Sequence, residues 1–397
     1  MPGYDYLIVG GGMTAAAAVK GIREVDPQGS IGILSAEPHP PYKRPPLTKK
    51  LWMGKPEEII WITTPQDGVT WMQGSRAARL DPEGQTVYDE AGQSYAYGRL
   101  LLATGGVPRR LPFTPPETVY FRTLDDYHAV RRLTGKGARF GVIGGGFIGS
   151  EIAAALALNG EQAVMVFPES GIGARLFPAD LANHLNDYYR QKGVEVYPGV
   201  EIQTVERRGQ QFALRGGGRE IVVDHIIAGI GIRPNIELAQ SAGIETAGPE
   251  VGGGIVVDEH LRTNRPAVYA AGDAAAFYNP ALGRRMRVEH EDNANTMGYF
   301  AGLNMAGRAA PYHHLPFFYS DLFDLGYEAV GELDSRLETY ADWKEPYRAG
   351  VIYYLKDRRV AGVLLWNTWD QVDAARKLIA ARATVTPAEL KGRLPEK

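Results

Sequence analysis

Residues Arg139–Glu151 read R-F-G-V-I-G-G-G-F-I-G-S-E. Phe140–Ile143 predict a short buried strand, the glycines a tight turn, and the residues after them the start of a helix. Gly144, Gly146 and Gly149 stand in the spacing G-x-G-x-x-G. In that spacing the first glycine allows the turn, the second lets the backbone approach a pyrophosphate, and the third lets helix and strand pack closely. The helix N-terminus then offers unpaired N–H groups to the phosphates. Ala153–Leu158 continue the helix, and Val164–Phe167 read as the next strand. Glu169 follows it, about 20 residues past the last glycine, where a ribose-binding acid is expected. The glycines alone are weak evidence, because glycine-rich turns occur in many α/β proteins. Strand, glycines, helix, strand and acid in this order make a dinucleotide-binding unit.

A second unit opens the chain. Tyr4–Val9 predict a strand, followed by Gly10, Gly12 and, in the third place, Ala15. The alanine-rich stretch from Thr14 to about Glu24 predicts a helix that sits close to a sheet, Ser30–Ser35 the next strand, and Glu37 the ribose acid past its end. Two fingerprints imply two dinucleotides. By analogy the N-terminal one takes FAD and the internal one NAD(P).

Composition sets the limits. The 397 residues exceed what one core organises and imply two or three domains. Apolar residues make up 44% and charged residues 22%, ordinary for a globular protein. A net charge of −3 implies no general attraction to nucleic acid or anionic lipid. No apolar run approaches the length of a membrane span. The early first strand leaves no room for a cleavable signal, so a cytoplasmic protein is expected. There are no cysteines, which excludes a redox-active disulfide, a thiolate metal site and a cysteine nucleophile. The adjacent His313 and His314 would point apart in an extended chain and are not read as a metal pair.

Between the fingerprints, Pro40–Trp52 read P-P-Y-K-R-P-P-L-T-K-K-L-W. Prolines stiffen this backbone and hold Arg44 and Lys49 in fixed directions. A polyproline segment for a partner domain is the alternative to a rigid cofactor clamp. Thr86–Tyr88 and Ser94–Tyr97 predict short strands. Leu100–Thr104 predict a buried one ending at Gly105 and Gly106. Asp125–Leu133 predict a helix. Ile221–Ile232 form an apolar run in which Gly229 and Gly231 admit a ligand. Asp273, after the strand Val268–Ala271 and Gly272, fits either a ligand to ribityl hydroxyls or phosphate-linked water, or a helix cap. Glu289–Asp292 predict a helix start running to about Met305, with acids suited to the helix dipole. Beyond Phe317, strands around Glu328–Glu332 and Gly350–Trp366, a turn at Lys356–Arg359 and an amphipathic helix over Asp370–Arg382 predict an α+β piece without a nucleotide signature.

Together these residues resemble the apoptosis-inducing factor branch of the FAD-dependent pyridine nucleotide reductases, whose kin include the ferredoxin reductases of oxygenase systems. The resemblance covers nearly the whole chain. It rests on P-Y-K-R-P-P-L-T-K-K-L-W, L-A-T-G-G-V-P-R, G-G-G-F-I-G-S-E, F-P-E, A-G-D-A, V-E-H-E-D, G-Y-E-A-V-G and G-V-I-Y-Y-L-K-D. It implies an α/β fold of glutathione-reductase-like architecture. A discontinuous FAD-binding domain would occupy 1–110 and 233–316, with an NAD-binding domain over 111–232 and a C-terminal α+β domain over 317–397. Arg44, Lys49, Arg122 and Asp273 match FAD contacts, with Thr104 and Gly105 nearby. Phe147, Glu169, Glu289 and His290 match NAD contacts, with Gly231 nearby. Lys49 and Glu151 match the ion pair beside the reactive nitrogen of the flavin, so they are the expected catalytic pair; Glu151, in the first helical turn beside an ammonium, is expected to be ionised.

The departures are also specific. Ala36 stands where the branch commonly has the ribose acid, so Glu37 serves or the contact is lost. Glu291 replaces a histidine and Tyr319 a tryptophan near the flavin. A long polar insertion after about Tyr340 is missing, so apoptotic or DNA-binding roles are not carried over. The resemblance implies an oxidoreductase taking hydride from NADH, with an iron–sulfur protein, a quinone or oxygen as acceptor, in a monomer or homodimer. A redox-sensing flavoprotein with a long-lived reduced complex, and a fold that binds FAD only structurally, are the alternatives.

Overall fold

The computed structural model describes residues 2–64 and 68–394. The chain divides into two compact units. One holds the chain up to Lys43 together with Glu57–Val107 and Arg233–Pro316, the other Arg44–Pro56, Pro108–Ile232 and the chain from Phe317 onward.

The core of the first unit is the parallel part of a mixed seven-stranded sheet. Gly3–Val9 lies between Ile31–Ser35 and Ser94–Leu102; Val69–Gln73 flanks the former and Val268–Ala270 the latter. Leu7, Ile8, Ile33 and Leu100–Leu102 are almost wholly buried, as expected for strands covered on both faces. The helix Met13–Val25 turns its alanines inward and meets the helix Glu291–Met305 backbone to backbone. A Cβ on Gly298 would stand 2.3 Å from the Thr14 carbonyl oxygen, and one on Gly302 2.2 Å from that of Ala18. The expected helix start at Glu289 moves to Glu291, with His290 as the N-cap in extended backbone. The expected strands Ser94–Tyr97 and Leu100–Thr104 are one strand, Ser94–Leu102. Gly98 breaks the apolar pattern, but pairing with Gly3–Val9 carries the strand through it, and a Cβ there would press within 2.9 Å of the Asp5 carbonyl oxygen.

The second unit has its own parallel sheet, in the order Glu195–Pro198, Gln162–Phe167, Arg139–Ile143, His225–Ala228, Val119–Tyr120. The helices Phe147–Leu158 and Ala179–Gln191 connect its strands, and Thr123 and Asp126 form a capping box that starts the helix Leu124–Arg131. The apolar run Ile221–Ile232 is cut at Asp224. Arg219–Val223 pairs antiparallel in a separate three-stranded sheet, whereas His225–Ala228 joins the parallel one. The Asp224 carboxylate forces the break by accepting the Arg139 N–H at 2.8 Å and the Gln211 amide at 2.8 Å.

From Phe317 the chain forms a five-stranded antiparallel sheet, ordered Phe317–Leu322, Leu325–Gly331, Arg359–Trp366, Ala349–Lys356, Glu338–Glu345, with the helix Val372–Ala380. The expected hairpin turn is Asp357-Arg358, both at positive φ (50° and 59°), which is the twist that two-residue hairpin loops require. Pro45–Thr48 and Lys50–Met53 are successive 3-10 turns rather than polyproline helix. Among the described residues, no helix is long and apolar enough to cross a membrane.

Candidate active site

Each parallel sheet ends in a glycine cradle, and the two cradles share one geometry. Gly10 has φ 116° and Gly144 φ 121°. A Cβ on Gly10 would meet the Ala103 carbonyl oxygen at 2.1 Å, and one on Gly144 the Gly229 carbonyl oxygen at 2.4 Å. The middle glycines are different. A Cβ on Gly12 or Gly146 would meet nothing within 4 Å. Both cap their helices from extended backbone, at φ −89° and −87°, with no side-chain cap on the first N–H groups. Open space in front of uncapped N–H donors is what a pyrophosphate needs, so the residues present fit a dinucleotide at both places. At the third position, a Cβ on Gly149 would stand 2.0 Å from the Gly144 carbonyl oxygen, whereas Ala15 is accommodated fully buried.

The other expected residues of the first unit gather at the ends of its strands. Glu37 is half-buried and accepts the Tyr42 hydroxyl at 2.5 Å. Thr104 donates to the Asn235 carbonyl at 2.7 Å, Asn235 returns a bond to the Thr104 carbonyl at 2.9 Å, and Gly105 beside them has φ 62° with open space around it. Asp273 lies in the 3-10 turn Gly272–Ala274, and its carbonyl accepts from Arg287, which also pairs with Glu289 at 2.5 Å. Burial pushes the His290 imidazole down to about 4, against the opposing pull of the Asp273 and Asp292 carboxylates.

The second unit holds Arg44, Lys49, Arg122, Phe147, Glu151, Glu169 and Gly231. The Arg44 guanidinium donates to the Arg122 carbonyl at 2.9 Å. Phe147 stands edge-on to Phe318, ring centres 5.3 Å apart. Glu169 follows its strand as expected and is paired with the exposed Arg175 at 2.5 Å. Gly231 has φ 90°, and its carbonyl accepts the Arg109 N–H at 2.9 Å. Glu151 is not in the first turn of its helix. The helix begins at Phe147, so the carboxylate stands one turn in and answers to side chains rather than to free backbone N–H groups.

Those side chains form a buried cluster. Lys49 Nζ lies 2.5 Å from Glu151 Oε1, with both side chains less than a tenth exposed. Ser320 donates to the same oxygen at 2.6 Å and Thr48 to Oε2 at 2.5 Å. The ammonium sits 5.2 Å from the centre of the Tyr319 ring. Asp321 is pushed up by burial and by the Glu151 charge, while Lys49 and Lys50 pull it down. Burial, with Glu151 adding to it, holds the Tyr189 and Tyr327 phenols well above their ordinary value. Two charges removed from water together persist only when hydrogen bonds satisfy the remaining lone pairs, and the two hydroxyls do this. Thr48, Ser320 and Asp321 escaped the sequence reading. Ser320 lies 169 residues from Glu151 in a stretch without a nucleotide signature, and no local pattern marks it.

Two dinucleotide cradles and a buried ammonium–carboxylate pair define an oxidoreductase that works with FAD and NAD(H). Residues 4–298 match the family model of the pyridine nucleotide-disulphide oxidoreductases, and residues 301–346 and 340–381 match that of the C-terminal part of mitochondrion-associated apoptosis-inducing factor. The chain belongs to the pyridine nucleotide-disulphide oxidoreductase family. It is 34% identical to apoptosis-inducing factor 1, mitochondrial, of Dictyostelium discoideum, over 96% of this chain and 79% of that protein. It is 32% identical to the ferredoxin reductase subunit of the 5,5'-dehydrodivanillate O-demethylase of Sphingobium sp., over 97% and 94%. Its fold is similar to that of a covalent putidaredoxin reductase–putidaredoxin complex, with TM-score 0.89 and 27% identity over 98% of this chain and 95% of that one. The ferredoxin reductase for the CYP199A2 system of Rhodopseudomonas palustris gives TM-score 0.88 and 27% identity, over 97% and 96%.

Proposed function

We propose that this protein oxidises NADH and passes the electrons to a small iron–sulfur protein. The observation that carries the reading is the buried Lys49–Glu151 pair in a chain without cysteine, which leaves no dithiol to relay electrons. Bound FAD supplies the chemistry, accepting hydride and releasing electrons singly. The relatives named as ferredoxin reductases, and the likeness to a putidaredoxin reductase captured with putidaredoxin, support an iron–sulfur acceptor.

In this reading FAD is held by 1–110 and 233–316 and NADH by 111–232, and 317–397 is the C-terminal α+β domain. Gly10, Gly12 and Ala15 seat one pyrophosphate, and Gly144, Gly146 and Gly149 the other. Glu37 and Glu169 receive ribose hydroxyls. Arg44, Arg122, Thr104, Gly105 and Asp273 bind FAD, while Phe147, Gly231, Glu289 and His290 contact the nicotinamide nucleotide. Lys49 would stabilise the negative charge that arrives on bound FAD with the hydride. An ordinary surface ion pair would contribute about 0 to 1 kcal/mol, but this pair is buried, where removing one partner costs far more. The match of residues 301–346 and 340–381 to the C-terminal part of apoptosis-inducing factor favours, as a second reading, a sensor that keeps its reduced complex.

Anaerobic titration of the FAD-loaded protein with NADH, followed by addition of a [2Fe–2S] ferredoxin, a quinone or air, tests the assignment. Reoxidation by the ferredoxin faster than by quinone or air is expected. A reduced complex that survives all three would replace the reductase reading with the sensor.

A further inference from the structure

The Glu151 carboxylate accepts three side-chain donors from two distant stretches of chain. Lys49 Nζ and Ser320 Oγ share Oε1 at 2.5 and 2.6 Å, and Thr48 Oγ1 takes Oε2 at 2.5 Å. All four residues are buried. We infer that Thr48 and Ser320 are positioning residues of the redox step: they lock the Glu151 carboxylate in one orientation, and through it the Lys49 ammonium. The inference rests on the role proposed above for Lys49.

The geometry supports a lock rather than mere satisfaction of a buried charge. A carboxylate offers about four lone-pair sites and an ammonium three donors, so a lone Lys–Glu pair has many arrangements. Ser320 comes from the strand Phe317–Leu322, where its backbone is paired with Tyr327. Its hydroxyl therefore reaches Oε1 from a rigid direction and restricts the ammonium's approach to the same atom. Thr48 precedes Lys49 in the chain, and its hydroxyl also reaches the Pro45 carbonyl at 3.3 Å within the turn Pro45–Thr48. One short turn thus supplies donors to both oxygens. Neither the flanking prolines nor the glycine fingerprint requires a hydroxyl at 48 or 320.

The test uses the full-length FAD-loaded protein and the variants Ser320→Ala, Ser320→Thr, Thr48→Val, Thr48→Ser and Lys49→Met. The readouts are the limiting rate of flavin reduction at saturating NADH, the NADH dissociation constant and the midpoint potential of the bound flavin. Loss of one hydrogen bond to an ionised group predicts a reduction rate lower by on the order of 10-fold in Ser320→Ala and in Thr48→Val. The dissociation constant should stay unchanged and the potential should move to more negative values, because a displaced ammonium stabilises the reduced flavin less. Ser320→Thr and Thr48→Ser, which keep the hydroxyl, should restore both quantities. If Lys49→Met is slow while Ser320→Ala and Thr48→Val keep the wild-type rate and potential, the positioning role is overturned and the Lys49 role stands. If Lys49→Met retains FAD and is reduced at the wild-type rate, the Lys49 role itself is wrong. A slow variant whose hydroxyl-bearing counterpart is equally slow would assign the effect to packing and also overturn the inference.

Discussion

A Cβ placed on Gly149 would stand 2.0 Å from the carbonyl oxygen of Gly144. The helix Phe147–Leu158 therefore meets the turn that starts it with no room for a side chain. At Gly146 the same construction meets nothing, and the backbone there is open to any L-residue. Gly149→Ala should destabilise the protein by about 1 to 3 kcal/mol, the usual cost of overpacking, since the obstacle is backbone. Gly146→Ala should leave stability nearly intact but weaken NADH binding by filling the space a phosphate would occupy. Urea unfolding paired with NADH titration separates the two. Equal losses of stability in both variants would refute the division of roles.

Glu169 is paired with Arg175, whose side chain is 83% exposed against 25% for the carboxylate. A 2′-phosphate at Glu169 would meet a like charge, so NADH should be preferred over NADPH by on the order of 10- to 100-fold, about 1.4 to 2.8 kcal/mol. Glu169→Ala should erase most of the preference. The exposed Arg175 guanidinium tempers the repulsion, so Arg175→Ala should widen the preference. Values of kcat/KM for both nucleotides decide; an Arg175→Ala variant that uses NADPH better would reverse the assignment.

Burial pushes His290 down to about 4, so the imidazole is neutral in the native protein at neutral pH. The unfolded chain takes up a proton near 6.5, its ordinary value. Between about pH 6.5 and 4 the unfolded state binds the extra proton, so stability falls as the pH is lowered through this window and levels off below it. His290→Gln should flatten that part of the curve. The comparison is urea unfolding of both proteins between pH 4 and 7, and parallel curves would show that His290 does not titrate this way.

The family name includes disulphide chemistry, yet this chain has no cysteine. A dithiol relay needs a thiolate to attack the substrate disulfide. The purified protein should therefore show no NADH-dependent reduction of glutathione disulfide or thioredoxin above the protein-free rate. Mediator-free turnover with either substrate would require a different electron path.

The fingerprints were legible because their physics is local. The turn, the open cradle and the helix start all fall within a few residues of one another, so the spacing alone marks them, although the carbonyls that crowd Gly10 and Gly144 belong to the distant Ala103 and Gly229. The hairpin at Asp357-Arg358 was legible for the same reason, lying between two apolar runs. The single strand Ser94–Leu102 was not, because what carries it through Gly98 is pairing with the distant strand Gly3–Val9. The break at Asp224 was hidden in the same way, since Arg139 and Gln211 receive its carboxylate from other strands.

The sequence by itself determined two dinucleotide units and the absence of cysteine, and it singled out Lys49 and Glu151 through resemblance rather than through any local pattern. Only the tertiary structure decided that Glu151 stands beyond the first helical turn and that Thr48 and Ser320 close around it. A short apolar or glycine motif constrains the backbone it sits in. A hydrogen bond between residues 169 apart leaves no period or spacing to read, and exists only once the strand Phe317–Leu322 and the helix Phe147–Leu158 have packed together.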